Sequence, residues 1–363
     1  MKMNGKKRLI VWSMAIVALI LTGVWGYAGD LKLNMKKVLE LGTTGEEFFQ
    51  LDSVCEDDGE NFYVLDGKKC NVRKFSKDGK ELLNFGSRGE GPLEWSQPFG
   101  VFFSKQTGII VTEWANFATI STTSGKLIKK INFAKKKDGL SNIKYIAGDI
   151  FYVVFQRMLR YRQQFLIDSS VNFLNSKLYT TTGGIIKVPN VGTIWHKNIE
   201  LFPDLIFESY NDHAIAGLTD RYELKLLNSQ GKVVRIIRRK VEGQRITEKE
   251  REYFSKLFLN DTYLSPPVKK YLVSLIPKNK MYFYTARPTS KYVFVFRIKP
   301  DTTTDKPPYP VDVFSITGEY RGEVSVHKLP LLVTDKYMYF EEGNEENEDE
   351  SILLAKYSYE LAK

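Results

Sequence analysis

The stretch VRKFSKDGKELLNFGSRGEGP, from Val72 to Pro92, contains two strand-like runs joined by a turn and followed by a Gly-rich tail. The Asp78-Gly79 pair is typical of a tight β-hairpin, because glycine accepts the positive φ that such turns require. The tail GSRGEG follows a strand, but no helix pattern and no Walker-type lysine come after it. We therefore interpret the tail as a turn between two sheets rather than as a phosphate-binding loop.

The same hairpin pattern recurs along the chain. Apolar strands flank a polar, Gly-containing turn in ISTTSGKLIKKI (120–131), LLNSQGKVVRII (226–237) and VFSITGEYRGEV (313–324). A further unit fits residues 148–174, although its turn lacks glycine. A period of 40–50 residues with four short strands is typical of β-propeller blades. The sequence therefore predicts an all-β, six-bladed propeller, with blades near residues 53–86, 100–132, 145–190, 209–238, 278–327 and 330–362.

The last predicted blade has three strands at most, and the missing strand lies at the other end of the chain. MKKVLELGTTGEEFFQLDSV (35–54) has the same form as the segment after the first hairpin, namely an apolar strand, a glycine and a short loop. We expect this N-terminal strand to complete the last blade and close the ring, because an open propeller leaves two unpaired strand edges.

A helical insertion is predicted between the fourth and fifth blades, at residues 241–280. ITEKEREYFSKLF has Thr247 as an N-cap and Glu250 three residues later, which is a capping box. SPPVKKYLVSLIP begins with prolines suited to a first helical turn. Two interpretations stay open: the helices brace the rim of neighbouring blades, or they form a lid over a ligand pocket.

The pattern FYVLD…NVRKFSKDGKELLNFGSRGEGPLEWSQP resembles the bacterial exported six-bladed β-propeller proteins of the NHL-like group. The likeness covers most of the mature chain and is best in the first blade and the GSRGEGPLEW loop. It implies the fold and little about activity, because one fold hosts many functions.

The first 28 residues read as a signal peptide or N-terminal anchor, and residues 29–363 as the propeller. A basic segment, Lys6 to Arg8, precedes the uncharged apolar run 9–25, and Gly26 and Ala28 suit a cleavage site. The basic residues before the apolar run predict export of the remainder, to the periplasm or the cell exterior. Contact with a membrane is expected only through residues 9–25, in the case that the leader is retained.

Cys55 and Cys70 are the two cysteines of the chain. If Asp52–Glu56, Phe62–Asp66 and Cys70–Phe75 are successive antiparallel strands, the two cysteines lie two strand spacings, or about 9–10 Å, apart and at opposite ends. A disulfide needs Cα atoms within about 7 Å. We therefore expect two free structural thiols.

Catalytic and metal-binding motifs are not evident. The three histidines lie far apart in sequence, and no H-E-x-x-H or G-x-S-x-G pattern occurs. The acidic stretch EEGNEENEDE (341–350) lacks calcium-loop spacing and is expected to be a solvated hairpin tip. We predict no catalytic residue, no metal ligand and no cofactor. Some six-bladed propellers are lactonases with a divalent ion at the axis, so a metal-dependent hydrolase or lyase with an axial cation stays an open alternative.

Basic residues predominate in the loops of one predicted face, where turns between second and third strands meet connections between blades. Arginine suits bidentate capture of carboxylate, sulfate or phosphate. Two interpretations stay open: these are ordinary charges of solvated loops, or the face binds an anionic partner. Our prediction is a binding module whose partner is an anionic glycan, a peptide or an envelope protein. Net charge falls from +10 to +6 when Lys2, Lys6, Lys7 and Arg8 leave with the leader, and export separates the chain from nucleic acid, which we do not expect as a partner. The candidate binding residues are Lys68, Lys69, Arg88, Trp95, Trp114, Arg157, Arg160, Arg162, Arg221 and Arg287.

Overall fold

Antiparallel strands form most of the structure, a computed structural model. It describes residues 31–42, 48–113, 117–132, 140–147, 150–159, 162–172, 177–179, 185–187, 201–202, 205–210, 213–228, 232–262, 266–304, 306–343 and 352–362. For residues 140–187, and for Leu205, His213 and Val268, the description covers the backbone alone. The leader therefore lies outside the described residues. No helix within these ranges is long and apolar enough to cross a membrane.

The strands follow the apolar runs between the glycine turns. In chain order they are β1 (Lys32–Leu41), β2 (Leu51–Glu56), β3 (Phe62–Asp66), β4 (Asn71–Phe75), β5 (Glu81–Phe85), β6 (Ser87–Arg88), β7 (Glu94–Trp95), β8 (Pro98–Ser104), β9 (Gly108–Glu113), β10 (Phe117–Ser121), β11 (Leu127–Asn132), β12 (Leu140–Ala147), β13 (Ile150–Leu159), β14 (Arg162–Asn172), β15 (Lys177–Tyr179), β16 (Ile185–Lys187), β17 (Leu205–Tyr210), β18 (His213–Leu218), β19 (Glu223–Leu227), β20 (Val233–Arg238), β21 (Phe283–Pro288), β22 (Tyr292–Arg297), β23 (Tyr309–Ser315), β24 (Tyr320–Val326), β25 (Leu332–Val333), β26 (Tyr337–Gly343) and β27 (Ile352–Ala362).

The sheets confirm a β-propeller and correct its blade count. Five sheets have four strands: β2–β5, β8–β11, β17–β20, β21–β24, and β25–β27 completed by β1. The structure thus has five regular blades rather than the six that we predicted. The segment predicted as the third blade forms a five-stranded sheet instead. Its long strand β14 pairs with β15 through Ser170–Asn172 and with β16 through Gln164–Leu166, so the chain departs from the four-strand pattern where the glycine turn is missing.

The predicted closure by the N-terminal strand is confirmed. β1 pairs antiparallel with β27, from Lys32 opposite Ala362 to Leu41 opposite Leu354. The first strands of neighbouring sheets lie side by side, and the apolar core fills the spaces between sheets. Between the last blade and the first, the ring of Phe62 lies 5.4 Å from that of Phe75 and 5.5 Å from that of Tyr339.

Both cysteines are free and buried, as predicted. Cys55 lies in β2, whereas Cys70 immediately precedes β4 at the other end of the same sheet. Burial raises the pKa of both thiols, so neither has the depressed pKa of a reactive cysteine. The acidic hairpin between β26 and β27 is present, but residues 344–351 at its tip lie outside the described residues.

Two helices form the predicted insertion, α1 (Glu248–Asn260) and α2 (Pro266–Ser274), and the capping box of Thr247 and Glu250 is confirmed. The buried carboxylate of Glu250 accepts hydrogen bonds from the Lys280 ammonium at 2.5 Å and from the Thr302 backbone at 3.0 Å. Lys280 also donates to the carbonyl oxygen of Pro300 at 2.6 Å. Because residues 300 and 302 belong to the loop between β22 and β23, these bonds fasten the insertion to the fifth blade in sequence, β21–β24. They are the contacts expected of a brace.

Leu41→Ala tests the closure. Leu41 of β1 is 7% exposed and packs in one cluster with Phe75 of the first blade and Tyr339 of the last. We expect Leu41→Ala to lower the free energy of unfolding by about 2–5 kcal/mol, measured by denaturant titration. Val38→Ala is the matched control, because Val38 lies in the same strand but is 47% exposed, and its effect should stay within about 0.5 kcal/mol. Equal effects of the two changes would contradict the packing of β1 into the ring.

Glu250→Gln tests the attachment of the insertion. Burial raises the pKa of Glu250, but the hydrogen bonds from Lys280, Thr247 and Thr302 outweigh burial and bring the pKa to about 2, below its ordinary value of 4.5. The stabilisation is therefore complete above about pH 4.5 and is lost as the pH falls through about 2.

At pH 7, Glu250→Gln leaves the Lys280 charge uncompensated, and we expect a loss of about 3–5 kcal/mol in unfolding free energy. The pH dependence of stability between 4.5 and 2 should flatten in this variant. Glu252→Gln, at an exposed position of the same helix, is the control. A variant that keeps the wild-type acid transition would refute the assignment.

Candidate functional site

The propeller has two faces, which carry different sets of turns. Turns between second and third strands and the connections between sheets lie on one face, here called the connection face. Turns between first and second strands and between third and fourth strands lie on the other, here called the hairpin face. The predicted binding residues were all assigned to the connection face.

Four residues of the first blade and its connections form a compact cluster on the connection face, here called the basic patch: Phe49, Lys68, Lys69 and Arg88. The Lys69 ammonium lies 4.4 Å and the Lys68 ammonium 5.5 Å from the centre of the Phe49 ring. A guanidinium nitrogen of Arg88 donates to the carbonyl oxygen of Lys68 at 3.0 Å. All four side chains are exposed, Phe49 by 42%. The structure therefore brings three of the predicted residues together: the two lysines lie over the Phe49 ring, and Arg88 is bonded to the backbone of Lys68.

The carboxylate of Asp66 fixes the backbone of the basic patch through hydrogen bonds. It is 1% exposed, ends β3, and accepts hydrogen bonds from the backbone N–H groups of Phe49 at 2.9 Å, Lys68 at 3.1 Å and Lys69 at 2.9 Å. One buried side chain thus fixes both the turn that carries the lysines and the segment that carries the ring. Asp52 is a nearby carboxylate that packs against Gly67, and burial raises its pKa.

The Gly-rich tail positions Arg88 and is a connection between sheets, as predicted. Ser87–Arg88 pair in parallel with Glu94–Trp95 as the two-stranded β6–β7 ladder. Glu94 closes the loop by accepting from the backbone N–H of Gly91 at 2.9 Å. Lys130 of β11 donates to the carbonyl oxygens of Gly91 and Glu94, which ties the loop to the second blade.

Trp95 is not exposed on the connection face. Its side chain is fully buried between the first two blades, and its Nε1–H donates to the Thr119 hydroxyl at 3.0 Å. Gly86, at the start of the same connection, has a φ of +88°. A Cβ at this position would lie 2.0 Å from the Trp95 ring. The indole is therefore a core anchor for the connection that presents Arg88.

Arg287 lies on the opposite face from the one we predicted. It is near the end of β21, the first strand of its sheet, and the following turn to β22 belongs to the hairpin face. There it forms an ion pair with Glu208 of β17 and donates to the carbonyl oxygen of Pro330 at 3.4 Å. The prediction was wrong because β21 starts later than the sequence pattern suggested, which moves the turn after Arg287 from the second-to-third to the first-to-second position.

The remaining predicted residues do not join the patch. Arg221 is exposed in the turn between β18 and β19 on the connection face, where its Nε donates to Asp220 at 3.2 Å. Arg157 and Arg162 lie in β13 and β14, at the ends that flank the turn of that sheet, and their side chains are not described. Trp114 and Arg160 lie outside the described residues.

A cavity opens at the propeller axis on the hairpin face, here called the axial cavity. Its volume is about 70 Å³, and the first strands of five blades line it. The lining combines apolar side chains with Glu56, Glu208, Tyr210 and Arg287. An adjoining hollow at the mouth shares Glu56 and Tyr210 with it. Within the described part of the chain, no group of three His, Cys, Asp or Glu side chains could hold a metal ion.

Glu56 is a partly buried carboxylate of the axial cavity. Burial raises its pKa, although the Tyr339 hydroxyl, which donates to Oε2 at 2.5 Å, and the charge of Lys356 oppose the rise. Lys356 is itself 1% exposed, with its ammonium 3.9 Å from the centre of the Tyr337 ring, and burial lowers its pKa. Lys356 acts on Glu56 through charge and not through a hydrogen bond.

Sequence reasoning missed Phe49 and Asp66 in the patch, and Glu56, Glu208 and Tyr210 in the cavity. A signal existed for Asp66, because an aspartate that ends a strand just before a Gly-Lys-Lys turn is a common acceptor for turn N–H groups. The cavity residues carry no such signal, since their convergence depends on which strand of each sheet lies at the axis.

Comparisons with solved structures support the architecture. A member of the DUF4221 family from Bacteroides vulgatus aligns over 91% of this chain and 99% of its own, with 12% identity and a TM-score of 0.55. A protein of Bacteroides fragilis, described as a candidate exported protein, aligns over 91% and 95%, with 10% identity and a TM-score of 0.51. No protein-family model and no functionally curated protein matches the sequence. These likenesses show the propeller fold alone.

Trp95→Phe tests the core assignment of the indole. It removes the donor to Thr119 while keeping most of the ring volume, and we expect a loss of about 1–3 kcal/mol in unfolding free energy. Arg88→Ala, in the paired strand β6, should change stability by no more than about 0.5 kcal/mol. A Trp95→Phe protein as stable as the wild type would show that the buried hydrogen bond is not formed in solution.

Proposed function

We propose that this chain is an exported binding propeller that recognises an anionic ligand through the basic patch. The ligand class is an acidic glycan, a peptide carboxylate or a phosphate- or sulfate-bearing envelope component. The position of Lys68 and Lys69 over the Phe49 ring, with Arg88 bonded to the Lys68 carbonyl, is the observation that carries the proposal. Three cationic side chains, two from the β3–β4 turn and one from the connection that follows β5, converge there.

Preorganisation supports binding at this patch. Ordering flexible lysine side chains on a ligand costs roughly 0.5–1.5 kcal/mol per side chain. Here the Phe49 ring already attracts both ammonium groups, and such cation–π contacts contribute about 0.5–1 kcal/mol each at exposed sites. The Asp66 carboxylate fixes the backbone beneath them. Part of the ordering cost is therefore met before the ligand arrives, while the Arg88 guanidinium keeps donors for a bidentate contact.

Two finer features belong to the same proposal. We infer that the five-stranded sheet β12–β16 takes the place of a sixth blade, because β12 lies beside β9 of the second blade and β17 of the next. We infer export from the basic, apolar and small-residue segments of residues 1–28. Export also favours an envelope partner over nucleic acid.

Charge reversal tests the function. We expect the triple variant Lys68→Glu, Lys69→Glu, Arg88→Glu to elute from a heparin column at markedly lower salt than the wild type, with a shallower dependence of retention on salt. The matched control reverses Lys77, Lys80 and Lys126, which are exposed in turns of the hairpin face. Both variants change the net charge equally, so a non-specific charge effect would shift them by the same amount, and that outcome would refute the patch.

A further inference from the structure

Among the outer strands of the five regular blades, β20 has the largest share of exposed residues. It pairs with β19 alone, so alternate N–H and C=O groups on its other side have no strand partner among the described residues. Its exposed side chains include Val233, Val234 and Ile236, at 41–49%. An unpaired strand with apolar side chains is a template for another extended chain.

A shared β-bulge relates β20 to the outer strands of three other blades. In each case one residue of the outer strand is skipped in the pairing with the neighbouring strand. The skipped residues are Leu82 in β5, Ile128 in β11, Val234 in β20 and Arg321 in β24. The four strands can therefore be compared position by position.

The position two residues after the bulge distinguishes β20 from the other three strands. It is occupied by Asn84 in β5, Lys130 in β11 and Glu323 in β24, but by Ile236 in β20. Polar and charged side chains on an edge strand hinder the addition of a further strand. At this position β20 lacks the protection that the other three edges have.

The charge on and around β20 is positive. Residues 232–240 contain five basic and no acidic residues. Two of the five are paired, Arg238 with Glu223 at 2.8 Å and Arg239 with Asp312. Because the remaining charges are uncompensated, the edge attracts an acidic chain and repels a basic one. Within the described part of the chain, the basic residues without an ion pair are Lys232, Arg235 and Lys240.

We propose that the free edge of β20 binds an extended acidic peptide as an added antiparallel strand. Backbone hydrogen bonds to β20 hold the peptide, and its side chains determine the specificity. An apolar residue lies opposite Ile236, and acidic residues lie opposite Arg235 and Arg238. This surface is separate from the basic patch, which belongs to the first blade and its connections.

Short peptides provide the probes. Fluorescein-labelled ETVEVTE, running antiparallel to β20, places glutamates opposite Arg238 and Arg235 and a valine opposite Ile236. Fluorescence anisotropy should show that it binds the full chain at one site. KTVKVTK has the same apolar pattern and should bind at least about tenfold more weakly. Equal affinities for the two peptides would overturn the charge complementarity.

N-methylation of the peptide tests strand addition in the wild-type chain, without any variant. In an added strand the N–H groups of alternate residues face β20, and the others face solvent. Two forms of ETVEVTE, methylated at the amides of either the odd or the even residues, should therefore differ. One form should lose binding and the other should keep it. A non-specific ionic contact would treat both forms alike, and that result would refute strand addition.

Ile236→Glu tests the position of the site. We expect it to weaken ETVEVTE binding by about tenfold or more, because a third acidic side chain then faces the bound strand. Ile128→Glu is the matched control, since Ile128 is an exposed apolar residue of the outer strand β11, and it should leave the affinity unchanged. Circular dichroism checks that both variants are folded. An equal effect of the two changes would contradict the assignment to β20.

Two other modes of binding give different results in these experiments. The triple charge reversal of the basic patch should not affect ETVEVTE binding, and loss of binding in that variant would move the peptide to the patch and refute this proposal alone. Sedimentation of the free chain should show no dimer that depends on β20. A dimer that Ile236→Glu dissociates would make a second copy of the chain the occupant of the edge, and would overturn the proposal.

Discussion

The antiparallel pairing of β1 with β27 is the constraint on which the rest of the structure depends. Without it, β27 would be an edge strand at the end of an open array, and the apolar face beneath Leu41 would meet water. The pairing also joins segments more than 300 residues apart in sequence. It brings the last blade against the first, where Leu41, Phe75 and Tyr339 share one cluster.

Closure also explains why distant residues share a site. The axial cavity draws on the ends of β2, β8, β17, β21 and β25, which meet because every sheet presents its first strand to the axis. The basic patch has a different origin, since its residues come from one blade and the two connections beside it. Its geometry depends on local anchors, namely the Asp66 carboxylate and the Trp95 indole. A defect far away in the ring would therefore disturb the cavity more than the patch.

Local patterns were enough to predict most of the fold. The turn glycines Gly79, Gly125 and Gly318 all have positive φ, as the hairpin pattern required, and the predicted blade 53–86 corresponds to strands from Leu51 to Phe85. The site was less predictable for two physical reasons. The sequence places Trp95 in a loop, but in the structure its ring fills the space next to Gly86. No local sequence pattern indicates that contact. The face on which Arg287 lies depends on where the first strand after the helical insertion begins. If that boundary is misplaced by a few residues, the turn after Arg287 is assigned to the connection face instead of the hairpin face.

The first blade has the basic side chains of the patch at one end and the Glu56 carboxylate at the other, and the strand geometry keeps them apart. Asp66 lies opposite Leu51 in the β2–β3 pair, and Glu56 lies five residues further along β2. At about 3.4 Å per residue, this separates the two ends by roughly 17 Å. The Debye length at physiological salt is about 8 Å, so the exposed charges of the two faces are largely screened from each other through the solvent. A single sheet can therefore present opposite charges at its two ends without one neutralising the other.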